Sequence, residues 1–153
     1  MLSRVTLCVF LSAATWCYGC GERPIKVDEF NTLVVTLPDG FRVRAEVMTR
    51  PQDMMRGMMF RDSLPEGRGM LFIHGEPGEY SYWMFQVKIP LDIIWMDQNG
   101  IVVEISPNTP PCPSKDPKQC PNYGGTKRAL MVLELPAGSA EKHGIRVGRK
   151  IQI

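Results

Sequence analysis

The chain has 153 residues, of which 44% are hydrophobic, enough to bury the core of one domain of ordinary size. Its formal net charge of +2 is nearly balanced, and no basic block stands out. That excludes the electrostatic footprint expected of a nucleic-acid binder, and there are no internal repeats that would suggest an array.

The first residues read MLSRVTLCVFLSAATWCYGC. Arg4 and the amino terminus give a small positive region, and Val5 to Ala14 is an apolar run. It is shorter than the roughly 20 apolar residues a spanning helix needs, and it has the layout of a secretory signal. Gly19-Cys20 resembles a bacterial lipobox, in which the cysteine becomes the lipid-bearing first residue of the mature chain. Cys17 and Tyr18 depart from that pattern, and Ser12-Ala13-Ala14 offers an alternative cleavage site. The expected organisation is a signal peptide over 1–19, a tether over 20–30 with lipidation at Cys20, and a single β-rich domain over 31–153. This places the protein in the bacterial cell envelope, facing the periplasm and anchored to a membrane through lipid. Cys17-Tyr18-Gly19-Cys20 is formally a CxxC, but it lacks the strand before and the helix after that a redox motif requires.

Leu33 to Leu37 and Phe41 to Val47 flank Pro38-Asp39-Gly40, a turn composition. The second run alternates apolar with charged residues, so the two form a hairpin with one exposed face. Thr49-Arg50-Pro51-Gln52 has the spacing of a capping box and predicts a short helix over Arg50 to Met58. Gly69 to Ile73 and Ser81 to Phe85 read as strands. Asp92 to Asp97 and Ile101 to Ile105 form a second hairpin about Asn99-Gly100.

Cys112 and Cys120 lie in the proline-rich stretch PPCPSKDPKQCPNYGG. Zinc wants four ligands, and His74 and His143 are both remote in sequence. In an oxidising envelope the two thiols pair, so a disulfide is expected. Arg128 to Leu135 is a further strand, Ala137 to His143 a short helix stopped by Gly144, and Val147 to Ile153 a final strand. The fold class is all-β: a compact sandwich or barrel-like β domain with two short helices.

RGMMFR (56–61), GMLF (69–72), YWM with IPLDIIW (82–95), VLELPAG (132–138) and GIRVG (144–148) follow one another in an order that resembles the domain-of-unknown-function 192 family. The similarity covers roughly Asn31 to Ile153. It implies a compact β-rich fold in exported or membrane-tethered bacterial proteins, and it brings no established activity. The family usually carries Lys-Asn-Thr after Trp-Met, where this chain has Phe85-Gln86-Val87.

Three polar residues, Arg56, Asp92 and Glu134, interrupt these otherwise apolar motifs. A shielded Asp92 needs a partner, which Arg56 could supply. One reading is a concave polar patch of Arg56, Trp83, Met84 and Asp92 that binds a small ligand or an envelope protein; the other is a structural ion pair. Methionines 54, 55, 58, 59, 70 and 84 suit Cu(I) as thioethers, yet also suit core packing. No nucleophile elbow, zinc-protease motif or phosphate loop appears. The expectation is a non-catalytic binding or accessory domain without cofactor or metal. An enzyme using carboxylate–arginine chemistry around Asp92 and Arg56 is the alternative, and a copper-binding protein the third.

Overall fold

The computed structural model describes residues 31–153, so the expected signal, tether and Cys20 lie outside the described residues. The first hairpin pairs β1 (Thr32–Thr36) with β2 (Arg42–Met48), Val35 standing opposite Val43. Gly40 takes a φ of +90°, and the Asp39 carboxylate accepts the Phe41 N–H at 2.9 Å. Val43, Ala45 and Val47 are buried while Arg42 and Arg44 are exposed, as the alternation requires.

The helix α1 (Pro51–Arg56) is shorter than the sequence suggested, and its cap is Arg50 rather than Thr49. Pro51 at the first helical position holds Arg50 extended, at φ −88° and ψ 137°. Arg50 makes no capping bond; its Nε donates to Asp53 Oδ2 at 2.6 Å. Gly57, at φ +42°, ends the helix against the Phe72 ring. The chain then returns as β3 (Arg68–Gly78), parallel to β2, so α1 lies on a crossover.

β4 (Tyr82–Trp83) pairs with β7 (Asn122–Tyr123) in a small separate sheet. The expected strand over 81–85 is cut short because Gln86 turns the chain at φ +56°. β5 (Leu91–Met96) and β6 (Val102–Thr109) form the second hairpin, its turn held by Asp97 accepting the N–H groups of Asn99 and Ile101. β8 (Ala129–Pro136) lies between β3 and β5, giving a mixed sheet in the order β1-β2-β3-β8-β5-β6.

The central strands bury both faces. Leu71, Ile94 and Leu133 point into one core, with Val35, Val43, Ala140 and Ile151. Met70, Phe72, Ile93, Trp95 and Val132 point into the other, with Met58 and Met84. This is why β5 is apolar at nearly every position instead of alternating. α2 (Ser139–Lys142) covers the first core through Ala140.

The expected final strand over 147–153 is absent among the described elements. Gly148 at φ +85° breaks the run, and two isolated bridges replace it: Thr36 with Gln152, and Ile101 with Lys150. The C-terminal segment thereby touches both ends of the sheet order, beside β1 and just before β6, and gives the domain its barrel-like closure. Cys112 and Cys120 are joined by a disulfide across a separation of 8 residues, around a 3-10 turn at Pro117–Gln119. No described helix is long and apolar enough to cross a membrane.

Candidate functional site

Asp92 is wholly buried on β5, as its apolar neighbours imply, but its partner is not Arg56. Its Oδ1 accepts the N–H groups of Asn108 at 2.7 Å and Gly138 at 3.2 Å, and its Oδ2 accepts the N–H of Ala140 at 2.6 Å. The carboxylate serves in place of a side-chain cap for α2, whose own cap residue is Gly138. The Arg56–Asp92 ion pair expected from the sequence is not formed. A buried charge satisfied by three backbone donors needs no counter-ion of its own.

Met84 is also fully buried, and Trp83 is half-buried and packs beside Phe85 at a ring separation of 5.5 Å. Met58, Met70 and Met84 are core residues, Met54 and Met59 pack against the same cluster, and Met55 is exposed. The methionines therefore line a core face more than a common surface. Among the described residues, no group of three or more His, Cys, Asp or Glu side chains is placed to hold a metal ion.

Arg56 belongs elsewhere. It lines an open groove of about 460 Å³ beside α1, together with Asn31, Arg50, Asp53, Phe60 and Arg61. Neither Trp83, Met84 nor Asp92 contributes to it. Arg61 donates from both terminal nitrogens to Glu46, at 2.7 Å each, in a fork-to-fork pair. This holds the Glu46 carboxyl below its usual range, the Arg61 hydrogen bond being the largest cause.

A second carboxylate feels the same guanidinium. Glu134 on β8 stands between Met70 and Ile93, so cross-strand geometry turns it into the second core face. It is 4% exposed, and its Oε2 has no hydrogen-bond partner. Burial pushes its carboxyl up to about 8, against the pull of Arg61. At neutral pH Glu134 is thus held mostly protonated while Glu46 is ionised: two carboxyl groups near one arginine in opposite states. Tyr82 is raised too, first by burial and then by Glu134.

A guanidinium carries five N–H donors. Arg61 uses two of its donors on Glu46 and Arg50 uses one on Asp53, while Arg56 has no partner among the described residues. The groove therefore presents three guanidinium groups, of which those of Arg50 and Arg61 are paired with Asp53 and Glu46 and that of Arg56 is unpaired among the described residues. Planar forks of this kind match carboxylate and phosphate oxygens. Beside it, Phe60 is 53% exposed at φ +66°, an unfavourable conformation for a bulky residue, and its N–H donates to Gln86 O at 2.9 Å.

Sequence reasoning selected Arg56 and singled out Glu134 as a polar interruption, but missed Arg61 and Glu46. Arg61 ends the quoted RGMMFR run and Glu46 lies on the polar face of β2. Nothing local links two residues 15 positions apart; the crossover through α1 brings them together.

Residues 34–153 match the family DUF192, described as "Uncharacterized ACR". A protein of unknown function from Novosphingobium aromaticivorans DSM 12444 has a similar crystal structure. It is 30% identical at a TM-score of 0.71, covering 80% of this chain and 85% of that one. A protein from Sinorhizobium meliloti 1021, described as a "putative transcription regulator", is 24% identical at a TM-score of 0.68. The match covers 78% of this chain and 89% of that one, and it speaks for the fold alone. No curated protein matches.

Proposed function

On the footing that the chain belongs to the DUF192 family, we propose that it is an exported accessory domain of the bacterial envelope that binds a small, multiply charged anion in the Arg56–Arg61 groove. The apolar leader and Gly19-Cys20 support export and a lipid tether at Cys20. The observation that carries the binding reading is the guanidinium of Arg56, unpaired among the described residues and set in one groove with those of Arg50 and Arg61, which are bonded to Asp53 and Glu46. Carboxylate or phosphate oxygens would take the donors that Glu46 and Asp53 leave unused.

Calorimetric titration of the full-length protein with citrate and with pyrophosphate at low ionic strength tests the site. Saturable binding is expected, weakened about tenfold in Arg56→Gln by loss of one charge-assisted contact. Equal affinity in wild type and Arg56→Gln sinks the reading. Intact-mass analysis of envelope-extracted material tests the tether: a chain beginning at a lipidated Cys20 is expected, and an uncut Met1 contradicts it.

A further inference from the structure

A smaller cavity of about 220 Å³ opens between the β1–β2 turn, the start of β3 and α2. It shares no lining residue with the arginine groove. Leu37, Val43 and Leu135 supply buried apolar walls. Sites for drug-sized ligands run to about 300–1,000 Å³, so this one suits a smaller molecule.

His143 lines the cavity and is 6% exposed. Its ring stacks on Phe41 with centroids 4.4 Å apart, and its Nδ1 lies 2.8 Å from Asp39 Oδ2. That bond, ahead of the Phe41 N–H, holds the Asp39 carboxyl below its usual range. The two contacts fix the plane and rotation of the imidazole. Nδ1, facing a carboxylate, carries a proton, so Nε2 accepts when the ring is neutral and donates when it is cationic. Nε2 has no protein partner among the described residues.

The charged groups around it are few. Lys142 and Glu66 are ion-paired at the rim, and Arg68 lines the wall. Asp92 approaches α2 from β5, but its oxygens are taken by backbone N–H groups. Of these, Glu66, Lys142 and Arg68 line the cavity, so Arg68 leaves one positive charge beyond the Lys142–Glu66 pair; Asp39 does not line it and faces the imidazole from the β1–β2 turn. That charge, on Arg68, stands beside the apolar walls of Leu37, Val43 and Leu135.

We propose that this cavity is a second ligand site, taking a small monocarboxylate with an apolar body, its carboxylate held by His143 Nε2–H and Arg68. The site is independent of the arginine groove, whose polar, multiply cationic lining suits a different ligand.

The test titrates the full-length protein with benzoate. Saturable binding is expected, weakened about tenfold in His143→Gln by loss of one charge-assisted contact. Should that buried substitution prevent folding, Arg68→Gln at a half-buried position still decides: it should weaken benzoate while Arg56→Gln leaves it unchanged. Absence of saturable binding, or equal affinity in wild type and Arg68→Gln, would overturn the proposal. Loss of binding in Arg56→Gln with retention in Arg68→Gln would also overturn it, by moving benzoate to the groove.

Discussion

Asp92 Oδ2 accepts the N–H of Ala140 at 2.6 Å, tying the middle of the sheet to the first turn of a helix 48 residues later. With Oδ1 on Asn108 and Gly138, this one carboxylate joins β5, β6 and the β8–α2 connection. In Asp92→Asn, an amide would keep one acceptor and turn its NH₂ towards backbone donors. A loss of roughly 2–3 kcal/mol is expected, read as a lowered urea midpoint. Citrate affinity of the folded variant should be unchanged, because Asp92 does not line the groove.

Glu134 gives stability a pH dependence of opposite sign to that of a salt-bridged carboxylate. Its folded value of about 8 lies above the ordinary 4.5, so between those limits the folded state binds more protons than the unfolded one. Its contribution is therefore most favourable below 4.5 and is lost as pH rises through about 8. Glu134→Gln, neutral and of similar shape, should remove that loss. Denaturation midpoints at about pH 9 should favour the variant by on the order of 1–3 kcal/mol, with little difference in acid.

Gly124 approaches the Trp95 ring so closely that an added Cβ would lie 2.3 Å from Cζ2, at a backbone φ of +62°. Trp95 is fully buried and its Nε1 donates to Tyr80 O at 2.7 Å, so the ring has nowhere to retreat. Gly124→Ala should cost about 1–3 kcal/mol by overpacking, and perturb the near-ultraviolet signal of the tryptophan.

The Cys112–Cys120 bond closes a short loop whose chain packs over Met84: the Cys112 N–H donates to Met84 O at 3.1 Å. Reduction should release two thiols and lower stability by about 2–3 kcal/mol in the loop-entropy account. Thermal unfolding with and without reductant measures it.

The strands with strong local signatures were legible: the alternating β2, the Asn99-Gly100 hairpin and the apolar run of β5 all form. The last segment was not, because Val147 and Ile151 look strand-like while Gly148 at positive φ interrupts them. Asp92 was legible as a buried carboxylate in need of partners, but those partners are backbone groups brought in by tertiary structure. Glu46 and Arg61 escaped notice for the same reason; each sits unremarkably in its own segment, and the parallel crossover makes them a pair.

The groove reading stands or falls on Arg56, whose guanidinium has no protein partner among the described residues and lines the groove with Arg50 and Arg61. The most direct measurement follows arginine side-chain Nε–H resonances of the full-length protein during a citrate titration. A saturable shift of Arg56 and Arg61, with exposed Arg42 on β2 unmoved, is the expected result. Uniform, non-saturating shifts of all arginines would contradict it, reducing the groove to ordinary charged surface.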